Sequence, residues 1–427
     1  MLFRNNVLMQ IYPTHNIIDS PLSIRLQRIL FLGFFYTIFA GVVRKWILPF
    51  GTISDVLLLG QLLLPIIMAW RYSQIKSLTK SFYTLILVLY FMTLLTMAIN
   101  PLNHTALHGA VGVVIHLGFW YLLLAYLQIS DRVNIIQLDY FLFAILIVET
   151  ILTTTQYSLP EDHIINRFSA EDSQGVVLGD GIRVTGTFSY FGGFASMVIF
   201  YGFFTWSLLN RNQKPILVII TTVISIYLAF MSGGRGNFIT VSTLVVVGIY
   251  ENLGKGIRYL QSFFKIGIFV LIVSVFFNPL RPIIRAWDNF YDRANELTER
   301  GESTTRVYRN YFSAFLYHGD QPLFGAGLGS DYQGANAMFG TSDTKLQYGF
   351  TEEEGERIVF EGGYLLYFIR IGLFIVVLSA LKIKRLSKFV LFILFFNKLI
   401  VFNTYMTFFL AMGFIWINQS KLLRSRS

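Results

Sequence analysis

Cysteine is absent from the sequence, and charged residues are scarce. The 427 residues include no cysteine, which excludes disulfides, thiolate metal sites and thiol nucleophiles. Charged residues make up 14% of the chain, against about 25% in a water-soluble domain. Because 54% of the residues are also hydrophobic, the composition excludes an ordinary soluble protein and indicates a chain that resides in a lipid bilayer.

Long apolar runs recur along the chain and determine its fold class. A helix of about 20 apolar residues crosses about 30 Å of hydrocarbon, and these runs do not alternate with polar residues as barrel strands do. We therefore predict an all-α integral membrane protein with about twelve transmembrane helices. The predicted spans are 26–43, 52–70, 82–99, 107–128, 134–152, 189–209, 215–231, 237–250, 262–278, 359–381, 388–402 and 404–418.

The last two spans are short, and polar residues separate them. Asn397, Lys398 and Asn403 interrupt the apolar sequence, which favours two helices with a break over one long helix.

Lysine and arginine residues are concentrated in alternate loops. Arg25 and Arg28 precede the first span, Arg211 and Lys214 follow the sixth, and Lys421 lies near the end of the chain. Loops rich in lysine and arginine stay in the cytoplasm, so a count of twelve places both termini there. This distribution orients helices in a bilayer and argues against nucleic acid as the partner of a chain with a net charge of +10.

Two long segments then lie outside, in the periplasm. Residues 153–188 form one outer loop, and residues 279–358 hold twelve acidic and eight basic residues. A segment of this length exceeds what a simple connection needs, so we predict a helical periplasmic loop between spans nine and ten. It divides the chain into residues 1–278, 279–358 and 359–427, and the last part ends in a short cytoplasmic tail.

Several cations lie on the predicted outer side, where the charge rule disfavours them. Arginine offers a planar set of donors that binds phosphate and does not deprotonate. In "SGGRGN", glycines and a following helix start would also favour an anion. One outer arginine is more often an anchor at the headgroups, but separate clusters favour an external phosphorylated lipid. These cations are Arg44, Lys45, Arg183, Arg235, Arg306 and Arg309.

Three segments carry a family resemblance. "RVTGTFSYFGGFASMVIF", "MSGGRGNFIT" and "RVYRNYFSAFLYHGDQPLFGAGLGS" resemble the patterns of the O-antigen polymerase and ligase superfamily. The resemblance covers about residues 180–380. It implies glycosyl transfer on the outer face of a bacterial inner membrane, from an undecaprenyl-pyrophosphate-linked oligosaccharide. The acceptor would be another lipid-linked repeat for a polymerase, or lipid A-core for a ligase.

The same resemblance implies roles for individual residues. Arg235 and Arg306 match the family's functional arginines, and Arg183 matches a further basic position. Fixed donors of this kind offset the charge on a pyrophosphate leaving group, so no metal and no cofactor is implied. A chain-length regulator is a further expected partner. The predicted substrate-binding set is Arg183, Arg309, Arg44, Lys45 and Arg357.

The general base is the point at which this sequence departs from the family. Ligases commonly carry a histidine late in the outer loop, whereas "YGFTEEEGERIVFEGGYLLYF" contains none. Glu356 or Glu361 could deprotonate the acceptor hydroxyl, although a carboxylate at a helix start, such as that of Glu361, is also stabilised without any catalytic role. His318 is more typical of a surface group. The missing histidine favours a polymerase over a ligase.

Charged residues inside spans are costly and face the bundle interior. We predict that Arg370 pairs with Glu149 or Asp139 as a structural lock. A transporter or flippase for a lipid-linked sugar stays open as an alternative, because it too needs cations in a membrane cavity. A transferase that uses a lipid monophosphate donor is less favoured, since residues 44–51 lack an acidic pair.

Overall fold

The computed structural model describes most of the chain, with gaps. The described residues are 21–49, 51–75, 82–130, 133, 135–168, 177–178, 181–211, 213–252, 288, 291, 295, 311–316, 323–349, 353–397 and 403–426.

Helices dominate the described residues. The first eight are α1 (Pro21–Val42), α2 (Thr52–Ile75), α3 (Phe82–Ala98), α4 (Ala106–Ile129), α5 (Asp139–Ser158), α6 (Phe191–Asn210), α7 (Pro215–Met231) and α8 (Arg235–Glu251). The last five are α9 (Gln333–Phe339), α10 (Asp343–Tyr348), α11 (Glu354–Ala380), α12 (Arg385–Phe395) and α13 (Thr404–Arg426).

Short elements connect some of these helices. A π-helical turn, Val43–Ile47, continues α1, and 3₁₀ turns span Ile136–Leu138, Ile164–Asn166 and Ser313–Leu316. The strands β1 (Val177–Leu178) and β2 (Gly181–Ile182) form one antiparallel pair of two residues each, with Val177 opposite Ile182.

Polar contacts at the helix ends fix the direction of each helix. At one end of the bundle, Asn403 donates to the carbonyl of Gly192 (2.8 Å) beside the starts of α6 and α13. At the other end, Asn210 donates to Ser420 (3.0 Å), so α6 and α13 run parallel. We call the end with residues 44, 192 and 403 the upper end, and the end with residues 210 and 420 the lower end.

Successive helices alternate between these two ends. Arg44 contacts Ser54 and Ser189, which places the end of α1 and the starts of α2 and α6 together at the upper end. Tyr126 accepts a hydrogen bond from Asn418 (3.2 Å), so α4 finishes at the lower end. Lys384 N–H donates to Glu251 (2.8 Å), which brings the end of α8 and the start of α12 to the lower end as well.

Small residues let α6, α8 and α13 pack closely in the core. A Cβ at Gly248 would lie 3.0 Å from Trp206, and one at Gly413 would lie 2.4 Å from Phe203. These spacings need glycine, because any side chain would collide with a buried aromatic ring. Helix α6 is accordingly enclosed almost all round, and its Phe200 and Trp206 are at most 1% exposed.

Within the described residues, six helical segments are long and apolar enough to cross a membrane. Helices α3 and α7 are apolar as well but shorter. An all-helical fold with candidate membrane spans is therefore confirmed, whereas twelve spans remain a prediction. The separation of α12 from α13 agrees with the predicted break. The six segments are Ile24–Ile47, Thr52–Gln74, Ala106–Ile129, Ile136–Ser158, Phe191–Asn210 and Glu354–Ala380.

Some predictions concern residues outside the described part of the chain. The predicted ninth span, residues 262–278, lies there, and so does most of residues 279–322, the first part of the predicted periplasmic loop at residues 279–358.

Candidate functional site

A buried segment before α6 forms the first part of the site. Lys45 Nζ donates to Thr185 Oγ1 (2.5 Å) and to the carbonyl of Gly186 (2.7 Å). The Glu149 carboxylate accepts from the backbone N–H of Thr187 (3.1 Å) and from its hydroxyl. Residues 183–189 are thus held from α1 and α5 together, and we call them the anchored segment.

The turn in the anchored segment requires glycine. Gly186 adopts a φ of +55°, and a Cβ there would lie 2.0 Å from the Glu149 carboxylate. The Gln156 side chain completes the turn, since it accepts from Gly186 N–H (2.9 Å) and donates to the Gly186 carbonyl (3.1 Å). The "TGT" sequence therefore builds a rigid turn around one buried carboxylate and one buried amide.

Arg44 and Lys45 have different surroundings although they are neighbours. Lys45 is fully buried, so its observed role is to anchor residues 185 and 186. Arg44 is 9% exposed and donates from Nε to Ser54 (3.2 Å) and from Nη1 to Ser189 (3.0 Å). Both contacts are to neutral hydroxyl groups, so no described acid compensates the guanidinium charge.

Arg183 and Arg235 lie at the starts of two neighbouring parallel helices. The Arg183 guanidinium stacks over the ring of Phe191, the first residue of α6, at 4.6 Å. Arg235 is the first residue of α8 and is half-buried. Among the described residues, Arg235 forms no hydrogen bond or ion pair. The structure shows no direct contact between Arg183 and Arg235 but places both at the upper end.

The turn before Arg235 is shaped by its glycines. Gly233 has a φ of +65°, and the space around Gly236 is open. Ser232 Oγ accepts from Gly234 N–H (3.4 Å) and from the Asn237 amide (3.2 Å). These bonds order the turn, but no described side chain caps the helix start.

Residues 324–330, which we call the glycine loop, pack against a break in α11. The break falls at Gly363, where φ is +66°. Ala326 N–H donates to the Phe360 carbonyl (2.7 Å), and Gly327 N–H donates to the Glu361 carbonyl (3.1 Å). Backbone groups freed by a helix break need partners at membrane depth, and the glycine loop supplies them.

The other side of the glycine loop contacts the region between α3 and α4. Asn100 donates to the Gly325 carbonyl (3.0 Å), and Asn103 donates to the Leu328 carbonyl (3.0 Å). A Cβ at Gly329 would lie 2.2 Å from the His108 carbonyl. The glycines therefore allow the loop to pack closely against the start of α4.

Five buried ionisable residues lie beneath the glycine loop, and we call them the buried charge network. His116 Nε2 is 2.8 Å from Glu361 Oε2, and Arg370 Nη1 is 2.6 Å from His116 Nδ1. Glu361 Oε1 accepts from Asp331 N–H (3.3 Å), and Arg357 Nε donates to Asp331 Oδ2 (2.9 Å). Each of the five residues is at most 1% exposed.

This network corrects the predicted partner of Arg370. The predicted pairing of Arg370 with Glu149 or Asp139 is wrong, because Arg370 contacts His116. Glu149 instead binds Thr187, and Asp139 forms an ion pair with Arg211 at 2.6 Å. The sequence could not show which helix faces lie together, and this decides the pairing.

The two carboxylates proposed as bases differ in how exposed they are to an acceptor hydroxyl. Glu361 is fully enclosed, and both of its oxygens accept hydrogen bonds from protein groups. Glu356 lies half-buried in the first turn of α11. Arg357, predicted to bind substrate, is buried and pairs with the carboxylate of Asp331. A catalytic role for Glu356 or Glu361 stays a prediction.

Tyr332 connects the buried charge network to Arg44. Burial raises the pKa of the Tyr332 hydroxyl, whereas the Arg357 and Arg44 guanidinium groups act to lower it. The hydroxyl therefore lies within electrostatic range of both cations.

Several functional candidates fall outside the described residues, and others were missed. Arg306, Arg309 and His318 lie outside them. His116 and Asp331 were missed by the sequence reasoning; the available signal for the former was a lone histidine within the apolar run "VVIHLGFW". Among the described residues, no group of three or more His, Asp or Glu side chains could hold a metal ion.

Comparison with protein-family models, with curated proteins and with solved structures finds no match for this chain. A function for this chain therefore has to be inferred from its residues and their geometry.

Proposed function

We propose that this protein is a membrane glycosyltransferase whose donor is an oligosaccharide on undecaprenyl pyrophosphate. An acceptor hydroxyl oxygen bonds to the anomeric carbon, and the bond from that carbon to the phosphate oxygen breaks. The lipid pyrophosphate leaves with the bonding electron pair, while the hydroxyl proton passes to a base. The acceptor is another lipid-linked repeat, so the product is a longer chain for O-antigen or exopolysaccharide.

Fixed cations are the chemical basis of this proposal. A pyrophosphate leaving group gains negative charge as the bond breaks, and preorganised donors stabilise that charge at low cost. Arg235 and Arg306 would bind the pyrophosphate, with Arg183, Arg309 and Arg44 around them. Charge compensation by guanidinium groups makes the proposed reaction independent of a metal.

Arg235 provides the single observation that carries the proposal. It is a half-buried cation at a helix start, and within the described part of the chain no carboxylate pairs with it. A charge that is partly removed from water is normally paired, so a cation kept without an acid partner favours an external anion. Glu356 is the preferred base, because it is less enclosed than Glu361.

The distribution of cations supports a periplasmic location for the upper end. The lower end carries a dense set of lysine and arginine residues, and such ends face the cytoplasm. The proposal accordingly places the protein in the bacterial inner membrane with both termini in the cytoplasm. The described cations at the lower end are Arg25, Arg28, Arg71, Arg211, Lys214, Lys382, Lys384, Arg385, Lys388 and Lys421.

Polymer length in cells tests the proposed reaction. Arg235→Ala should abolish long polymer while lipid-linked single repeats accumulate and the protein level stays normal. Arg28→Ala is the matched control, since Arg28 is an exposed cation at the lower end. A normal polymer ladder in the Arg235 variant would contradict the proposal. Transfer of preformed polymer to lipid A-core, without lengthening, would indicate the ligase form.

The break in α11 favours a transporter or flippase as the second candidate. Interrupted helices at substrate sites are common in secondary transporters, and Gly363 interrupts α11. A transporter would move labelled lipid-linked repeat across a liposome membrane without forming longer products. Longer products from purified protein would exclude this second candidate as the main function.

A further inference from the structure

The buried charge network fixes the protonation of His116. An arginine nitrogen donates hydrogen bonds and cannot accept them. His116 Nδ1, at 2.6 Å from Arg370 Nη1, must therefore accept and carry no proton. The proton lies on Nε2, which donates to Glu361 Oε2 at 2.8 Å. His116 is thus a neutral imidazole in one defined tautomer.

The charges of the network balance with His116 in this form. Arg357 and Arg370 are positive, whereas Asp331 and Glu361 are negative, and all four are buried. A second proton on His116 would place an N–H against the Arg370 N–H and add an uncompensated buried charge. This geometry argues against His116 as a general base, because both of its nitrogens are already engaged and the ring is enclosed.

The network extends from the middle of α4 and α11 to the upper end. His116 orients one Glu361 oxygen, and the other oxygen accepts from the Asp331 N–H. The Asp331 carboxylate then holds the Arg357 guanidinium through Nε at 2.9 Å. The next residue is Tyr332, and the charges of Arg357 and Arg44 both act on its hydroxyl. Each step is a direct contact except the last, which is electrostatic.

We propose that His116 is a positioning residue for the anion site, and that its fixed tautomer acts through Glu361 and Asp331. This inference rests on the proposed function, because the anion is the pyrophosphate of the lipid donor. Loss of the His116 contacts frees the Glu361 carboxylate to rotate, which loosens residues 331 and 332 and the cations on either side of them.

The binding test uses farnesyl pyrophosphate as a short prenyl-pyrophosphate probe on the purified full-length protein in detergent. His116→Phe keeps a ring but removes both hydrogen bonds, and should weaken the Kd about tenfold, the effect of losing a hydrogen bond to a charged group. His116→Gln retains one donor and one acceptor, and should restore most of the affinity. Arg28→Ala should bind like the wild type.

Stoichiometry separates positioning from a general structural role. A variant that merely misfolds in part loses binding sites but keeps the Kd of the remainder. The positioning role predicts a weaker Kd at unchanged stoichiometry. An unchanged Kd in His116→Phe, or failure of His116→Gln to recover affinity in folded protein, would overturn the inference.

The tautomer can be tested without any ligand. In protein labelled with ¹⁵N-histidine, the signal lost in His116→Gln identifies the ring, and the wild-type ring should show a bare Nδ1 and a protonated Nε2 at neutral pH. A proton on Nδ1 would overturn the inference. Should the wild type show this tautomer but not bind farnesyl pyrophosphate, the proposed function fails and the positioning role fails with it, whereas the fixed tautomer stands as a structural finding.

Discussion

The two ends of the bundle use their buried cations differently. At the lower end, Arg211 pairs with Asp139, and Lys421 pairs with Glu251. At the upper end, Arg44 contacts only neutral hydroxyls among the described residues, and Arg235 contacts no described acid. A cation paired with a carboxylate is neutralised and holds helices together. A cation held by neutral groups keeps its field, which favours an external anion.

Lys45 is an exception to this contrast, because it is buried at the upper end and interacts electrostatically with Glu149. Its contacts are internal to the fold, however, since Nζ donates to residues 185 and 186. The upper end thus contains buried cations that build the site, Lys45 and Arg357, and cations that contact no described acid, Arg44 and Arg235. This division makes the variants of the two kinds distinguishable.

The largest expected effect is on folding, from Lys45→Met. This change removes the hydrogen bonds from Lys45 Nζ to Thr185 and Gly186, and each buried acceptor that loses its partner costs about 1–3 kcal/mol. Thermal unfolding in detergent should show a large drop in the midpoint. The matched control is Lys214→Met, an exposed lower-end lysine, which should leave the midpoint unchanged. Equal midpoints in the two variants would remove the anchoring role.

Asp139→Asn should produce the next largest effect. It weakens the buried pair with Arg211 at the lower end, and hydrogen bonds to charged groups contribute about 1.5–3 kcal/mol. The unfolding midpoint should fall, while the Kd for farnesyl pyrophosphate stays at the wild-type value in the folded fraction. A weaker Kd here would mean that lower-end pairs also shape the anion site.

Arg44→Lys should have a moderate effect on binding affinity, with little effect on stability. Lysine keeps the charge but cannot reach Ser54 and Ser189 with one planar fork. We expect the affinity for farnesyl pyrophosphate to fall by roughly fivefold, about 1 kcal/mol, with little change in the unfolding midpoint. Unchanged affinity would place Arg44 outside the anion site.

The smallest expected effect is that of Lys421→Met. The Lys421 side chain is 15% exposed, and Glu251 keeps hydrogen bonds from Ser387 and the Lys384 N–H. The loss should therefore be about 0.5–1 kcal/mol of stability, with no change in affinity. A loss as large as that of Asp139→Asn would show that this pair is worth more than its exposure indicates.

Much of the fold could be predicted from the sequence, because membrane helices follow from long apolar runs. Helices α3, α6 and α7 match the predicted spans within two residues at each end. The distribution of Lys and Arg among the loops also predicts that Arg44, Arg183 and Arg235 lie at the same end of the bundle. Helix α11 begins at residue 354 and not at 359, since its first turn is polar and carries no hydropathy signal.

The side-chain pairing within the site could not be predicted in this way. Arg370 and His116 are 254 positions apart, and their contact depends on how α4 and α11 rotate about their axes. Apolar helices with little amphipathic character contain no signal for that rotation. The same limit applies to Asp331, whose role depends on a loop that docks against a helix break.

Arg235 has no partner among the described residues, and we propose that it binds a pyrophosphate headgroup. The most direct measurement compares farnesyl pyrophosphate binding by Arg235→Gln and Arg28→Gln in detergent. The account predicts a loss of at least about tenfold in affinity for Arg235→Gln and wild-type affinity for Arg28→Gln. Equal affinities in the two variants would contradict it.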